Sequence, residues 1–171
     1  MSSIFAHQSD GHYLLLGYSF GAHIAVEIAR LLYARGHTVQ LILVDSSVRD
    51  ADHEKFRSPE MAASVVQSFK MDTLGGNSSD ETQEFMQNLD QEITRNLRLL
   101  VAHRMRYFPH KATFLRADLN SGSGVDDNSN GYRELVKDLN VQHVCGDHSE
   151  IFSIHNIAKN SIKIAQAFTA P

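Results

Sequence analysis

The sequence predicts an α/β architecture: a mostly parallel sheet with flanking helices and a helical insertion. Three observations carry that prediction. Two apolar runs of strand length, Tyr13–Leu16 and Val39–Val44, bracket a stretch of helical periodicity. A strand–helix–strand passage pairs its strands in parallel through a right-handed crossover. The middle of the chain, 48–110, then changes to helical spacing with no strand pattern.

Each element has a local reason. Ser3–Gln8 reads as the last turns of a helix and Ser9–Gly11 as a turn. Tyr13–Leu16 has little polar interruption, the pattern of a central strand covered on both faces. From Gly21 to Arg35 the apolar residues Ala22, Ala25, Val26, Ala29, Leu32 and Tyr33 recur at spacings of three and four, and Gly36 is placed to end the helix in a left-handed turn. Val39–Val44 is a buried strand that ends at Asp45. Pro59 opens a helix to about Met71, 75–79 is a loop, and Asp80 caps a longer helix running to about Tyr107 and stopped near Pro109. Met61, Phe69, Met71, Phe85, Met86 and Met105 are expected mostly to pack these helices, although they could line an apolar channel. Ala112–Ala117 is a third strand, followed by a polar loop over 119–131 and a short helix or turn over Tyr132–Leu139. Val141–Cys145 is a fourth strand, and Ile154–Phe168 closes the chain as an amphipathic helix.

Composition narrows the function. At 171 residues, 1–171 reads as one domain. The net charge is −4 and Lys and Arg form no stripe, which argues against nucleic acid as a partner. No apolar run approaches the roughly 20 residues needed to cross a bilayer, so no membrane partner is expected. Cys145 is the single cysteine, so no intramolecular disulfide can form. Residues 1–8 lack the basic and apolar regions of a signal peptide, and a cytoplasmic location is expected.

The chemistry centres on Gly17-Tyr18-Ser19-Phe20-Gly21. A Gly-x-Ser-x-Gly arises by chance in about one average sequence of this length in twenty, so the flanking strand and helix carry the reading. Together they form the strand, sharp turn and helix of a nucleophile elbow. A Cβ at Gly17 or Gly21 is expected to crowd the approach of strand and helix. Ser19 would stand at the tip as nucleophile, with the Phe20 N–H facing a developing oxyanion. Asp45, Asp118 and His148 also fall at strand carboxyl ends, where function gathers in open α/β sheets. A serine nucleophile needs a histidine base and a carboxylate to orient it. The order Ser…Asp…His fits, and the residues alone leave both Asp45 and Asp118 open as the acid. His148, in a loop between the last strand and the last helix, is the candidate base. His143 lies within a strand, His23 and His37 flank a helix, and His103 and His110 fall in or near the insertion. Cys145 as nucleophile is the lesser alternative to a small buried apolar residue, and no residue spacing suggests a metal site.

These residues carry a resemblance. Tyr18–Ala22 with Ala25–Ala29 resembles the elbow helix of type I thioesterase domains, the C-terminal domains of fatty acid synthases, polyketide synthases and nonribosomal peptide synthetases, within the α/β-hydrolase superfamily. Leu41–Ser47 resembles their next strand and its aspartate. Phe114–Ala117 is similar to a strand of the fatty acid synthase members, and Gly146-Asp147-His148 resembles their histidine loop. The resemblance implies Ser19, Asp45 and His148 as catalytic residues. Asp118 would be the acid if the chain followed the many other α/β-hydrolases whose acid comes one strand later. It implies a helical lid over 48–110 and a substrate held on the phosphopantetheine of an acyl or peptidyl carrier protein. No bound cofactor follows from it; carrier and upstream synthase domains follow as partners. Family members have several strands and helices before the elbow, whereas twelve residues precede Tyr13 here. The chain is therefore expected to lack the N-terminal strands, with an open sheet edge and Phe20 N–H as its one oxyanion donor. A general carboxylesterase or lipase is the enzymatic alternative. A catalytically silent hydrolase fold acting as a binding module is the non-enzymatic one.

Overall fold

Four parallel strands stand in sequence order across one sheet: β1 (His12–Tyr18), β2 (Thr38–Val44), β3 (Phe108–Ala117) and β4 (Val136–Val144). The computed structural model describes residues 2–74, 80–118 and 128–169. They divide into two compact units, Met1–Ser47 with Met105–Pro171, and Val48–Arg104. The loop expected at 75–79 and the first part, 119–127, of the loop expected over 119–131 lie outside the described residues; 128–131 form a turn.

In the first unit, α1 (Ser2–His7) precedes β1, and α2 (Phe20–Tyr33) follows it. The α2 face predicted from periodicity is the buried one: Ala22, Ala25, Val26, Ala29 and Leu32 all leave solvent. The helix stops as expected. Gly36 has a left-handed φ of +83°, its N–H donates to Tyr33 C=O at 2.9 Å, and His37 N–H donates to Leu32 C=O at 3.1 Å. α2 packs on β1 and β2. On the opposite face of the sheet, Ile42, Val44, Leu115, Ala117 and Val144 join Ile151 and Ala167 in the core, with Tyr18, Ile164 and Phe168 against it. Ile164, Ala167 and Phe168 come from α7 (Ile157–Thr169). Each large aliphatic side chain fully buried there contributes about 1.5–3 kcal/mol.

Four expectations need correction. β1 is not covered on both faces: it pairs only with β2 among the described strands, and Leu14 and Leu16 are 54% and 39% exposed. On its α2 side Tyr13 and Gly17 are buried and Leu15 is half-buried. β3 starts at Phe108 rather than Ala112, so the inserted helices end earlier. Pro109 does not stop a helix; it lies in the strand, where Phe108 pairs with Val136 and Lys111 with Asp138, so two residues of β3 oppose one of β4. A residue without an N–H suits such a bulge. β4 starts at Val136, directly after the short α6 (Tyr132–Leu135), where a helix or turn was expected to continue to Leu139. It forms an edge of the described sheet, and its Lys137, Asp138, Asn140 and Gln142 hide the strand pattern. Finally, α7 begins at Ile157 rather than Ile154, because the preceding residues are spent on turns around His148.

The second unit is helical: α3 (Asp50–Glu54), a 3₁₀ turn at Lys55–Arg57, α4 (Pro59–Leu74) and α5 (Asp80–Ala102). Pro59 opens α4 as predicted, with the Met61 N–H reaching Ser58 Oγ at 3.3 Å. α5 ends at Ala102, short of Tyr107, and Arg104 pairs with Asp50 at 3.1 Å. Met61 and Phe85 are exposed rather than packed. The side chains of Phe69, Met71 and Met86 lie outside the described residues.

Candidate active site

The site begins with a backbone problem at the end of β1. Gly17 is the position where strand and helix nearly touch: a Cβ there would lie 2.5 Å from Ala22 Cα and 2.5 Å from Gly21 O. No side chain fits, so Gly17 is obligatory. Gly21 is different, since an added Cβ would meet nothing within 4 Å. The crowding expected there does not occur, because Gly21 sits on the first turn of α2 with its open side away from the strand.

Ser19 has φ +54° and ψ −125°, a conformation that L-residues rarely adopt and that typically costs about 1–3 kcal/mol. It is held by its neighbours: Ser19 N–H donates to Val44 C=O at 2.9 Å, and Ala22 N–H donates to Ser19 C=O at 3.1 Å. The strain aims the hydroxyl away from both elements. Phe20 follows as the first residue of α2, where a backbone N–H has no acceptor within its own helix.

Asp45 repeats the device at the end of β2. Its φ is +41°, its N–H donates to Leu115 C=O at 2.8 Å, and its side chain is buried. Ala117 N–H donates to Asp45 Oδ1 at 2.9 Å, so the strand next door fixes the carboxylate. The other oxygen, Oδ2, lies 2.8 Å from His148 Nδ1. A carboxylate accepts, so Nδ1 carries the proton and Nε2 is left as acceptor. Nε2 lies 3.1 Å from Ser19 Oγ. The structure thus brings Ser19, His148 and Asp45 into one bonded line, with the acid buried and the imidazole half exposed.

It does not bring Asp118 there. Asp118 pairs instead with His143 Nδ1 at 3.2 Å, both half exposed. Of the other histidines, His23 is buried with Nε2 against Ser47 C=O, and His37 packs on Phe5 and Tyr13. Cys145 is half-buried, and its backbone serves the histidine loop.

That loop is held by Asn160, which no sequence motif marks, together with Gly146 and Asp147. Asn160, fully buried on α7, accepts the Cys145 N–H at 2.9 Å and donates to Cys145 C=O at 2.9 Å and Ile151 C=O at 2.8 Å. It ties together positions three before and three after His148. The signal was present: Asn160 lies on the inward stripe with Ile164 and Ala167, where an unpartnered amide would be costly. Gly146 turns the chain with φ +97°, and a Cβ there would lie 2.6 Å from Asn156 Nδ2. Asp147 Oδ1 accepts from the Ser149 hydroxyl and from the N–H groups of Ser149 and Glu150. The Ser149 hydroxyl bond comes first among the causes that hold the Asp147 carboxyl below its usual range. Beside Asp45, Tyr132 bonds Ser46 Oγ at 2.6 Å, and Asn130 Nδ2 donates to Ser46 C=O at 3.0 Å.

A bonded Ser–His–Asp line at the tip of a strand–helix turn can generate a serine nucleophile and recycle its proton. Among the described residues no helix is long and apolar enough to cross a membrane. The family model for the thioesterase domain matches residues 2–165. No curated protein sequence is significantly similar. Among solved structures, the chain resembles the NocB thioesterase domain from the nocardicin cluster, at 24% identity and a TM-score of 0.76, covering 99% of this chain and 70% of that one. It also resembles the SrfTE thioesterase domain that cyclises the lipopeptide surfactin, at 19% identity and 0.74, covering 99% and 73%. A four-domain nonribosomal peptide synthetase matches at 21% and 0.73, with 99% of this chain covering 15% of that one.

Proposed function

The chain belongs to the thioesterase domain family, and from that premise we propose that it releases an acyl, polyketide or peptidyl chain from the phosphopantetheine thioester of a carrier protein. The observation that carries the proposal is the line Ser19 Oγ–His148 Nε2–His148 Nδ1–Asp45 Oδ2, at 3.1 and 2.8 Å. Ser19 Oγ attacks the thioester carbonyl carbon and gives its proton to His148 Nε2. Asp45 stabilises the imidazolium. The Phe20 N–H faces the oxyanion of the tetrahedral intermediate. Collapse breaks the C–S bond, and the departing phosphopantetheine sulfur takes the proton from His148. Water, or a hydroxyl or amine of the chain itself, then attacks the acyl-Ser19 ester. His148 accepts the incoming proton and returns it to Ser19 Oγ, giving hydrolysis or ring closure.

The helical unit between β2 and β3 takes the role of substrate lid, a reading supported by its place in the chain directly after the Asp45 strand end. Carrier and synthase domains are the partners, and the single cysteine suits a cytoplasmic setting. Peptidyl release has extra support from the similarity to the domain that cyclises the lipopeptide surfactin and to a four-domain nonribosomal peptide synthetase.

A fluorophosphonate probe tests the chemistry. Mass mapping is expected to find one labelled residue, Ser19, and none in Ser19→Ala. Label that persists in the variant overturns the assignment. Acyl N-acetylcysteamine thioesters compared with the matching oxygen esters then test the substrate class. A clear preference for oxygen esters sinks the thioester reading and favours a carboxylesterase.

A further inference from the structure

His148 stands on a loop, and its two polar bonds leave one freedom open. Nδ1 reaches Asp45 and Nε2 reaches Ser19, so both bonds leave the ring in its own plane. Hydrogen bonds bend easily, so these two oppose a small rotation of the ring about its Cβ–Cγ bond only weakly. Such rotation turns the Nε2 lone pair off the line to Ser19 Oγ. Something against the face of the ring has to stop it.

Tyr18 lies there. Its ring stacks on the His148 imidazole, with centroids 5.0 Å apart and planes 26° from parallel. Its hydroxyl donates to the His148 backbone carbonyl. One side chain therefore holds both the imidazole face and the main chain of the same residue. Tyr18 is itself fixed, by the core around Ile42 and Val44 and by Phe152, which meets it edge-on at 5.2 Å and 87°. Burial, with the Asp45 and Asp147 charges adding to it, pushes the Tyr18 phenol up to about 12. Its hydroxyl stays protonated, and stays a donor, through any working pH. Tyr18 is also the residue before Ser19, so one strand end carries the nucleophile and the wall against its base.

We propose that Tyr18 is the positioning residue for His148, setting its ring plane by stacking and its backbone through the hydroxyl; this rests on Ser19–His148–Asp45 being the reactive line. Tyr18→Phe keeps the wall and removes the donor, whereas Tyr18→Leu removes both. The test measures the saturating rate (kinact) and the half-saturating concentration (KI) for fluorophosphonate acylation of Ser19 in the full chain, per folded molecule. Tyr18→Phe is expected to lower kinact about threefold, the worth of one hydrogen bond. Tyr18→Leu is expected to lower it about tenfold or more, with the stacking lost as well. KI is expected to stay within about twofold in both, since a positioning role acts on the acylation step. In proton spectra, the His148 ring resonances, shielded by the stacked ring, move downfield in Tyr18→Leu and stay close to their original positions in Tyr18→Phe.

The proposal is overturned if kinact is unchanged in both variants, if the loss falls on KI instead, or if the His148 resonances ignore Tyr18→Leu. Should Tyr18→Leu fail to fold, Tyr18→Phe decides alone: an unchanged kinact overturns the proposal, and a fall at constant KI supports it. A Ser19→Ala chain run alongside separates the two readings. Label retained there refutes Ser19 as nucleophile rather than the role of Tyr18.

Discussion

Ser19 and Asp45 are held in one way and His148 in another. The first two sit at the ends of neighbouring strands, each at positive φ, and each has its N–H bonded to the carbonyl of the next strand. The sheet itself places them. His148 stands in a run of turns between β4 and α7, and side chains place it: Asn160 closes the loop, Asp147 and Gly146 shape it, and Tyr18 walls it. A backbone ladder is cooperative and tolerant of what the side chains are. A loop tied by a few side chains depends on each of them. The strand-end members should therefore fail through chemistry or steric exclusion, and the loop member through loss of a single tie.

The largest effect tests the strand-end half. On the proposed mechanism Asp45→Asn keeps the shape but presents the wrong hydrogen-bonding partner to His148. The expected fall in kcat on an acyl thioester is about 10⁴-fold. Asp118→Asn, which alters the His143 pair away from Ser19, should stay within about twofold, and a reversal of the two results would move the acid to β3. Next comes Gly17→Ala, where a Cβ meets backbone at 2.5 Å. Destabilisation of about 3 kcal/mol or more in urea unfolding is expected, and an unchanged midpoint would show the elbow to be looser than described.

Asn160→Leu addresses the loop half. It strands the Cys145 N–H and the Cys145 and Ile151 carbonyls in a buried site, at about 1–3 kcal/mol for an unsatisfied group. Hydrogen exchange over 145–151 should quicken while β1 and β2 keep their protection; loss spread evenly over the sheet would erase the distinction between the two regions. A smaller effect concerns pH. Tyr18 ionises near 10 when unfolded and at about 12 when folded, so the folded chain holds this proton over a window where the unfolded chain has lost it. Its contribution to stability is complete below about pH 10 and is lost as pH rises towards 12. Tyr18→Phe should flatten part of the alkaline fall in urea midpoint, and an identical slope would count against its burial. Smallest is Gly21→Ala. With open space at its Cβ and better helix propensity, a change within about 1 kcal/mol is expected, and a large loss would restore the crowding that the sequence suggested.

The same division explains what the sequence made legible. β1, α2, β2 and the strand-end places of Ser19 and Asp45 could be read because strand and helix periods are properties of neighbouring residues, whereas the preference for Asp45 over Asp118 came from the family resemblance alone. So could the place of His148 after the last strand. The start of β4 could not, since a polar edge strand lacks the apolar run that marks a buried one. Nor could the exposed side of β1: Leu14 and Leu16 look the same in sequence whether or not something covers them. Asn160 and Tyr18 escaped because their partners lie 15 and 130 residues away. A buried asparagine and a tyrosine beside a serine become informative only when the chain is folded around them.

The backbone at Ser19 has a consequence for anyone who improves this protein by selection. Its φ and ψ suit glycine better than any residue with a side chain. A library sorted by heat resistance alone will therefore tend to enrich glycine at position 19 and discard the hydroxyl on which the proposed chemistry depends. Robustness and reactivity pull in opposite directions at this one residue, so a useful screen has to score both together.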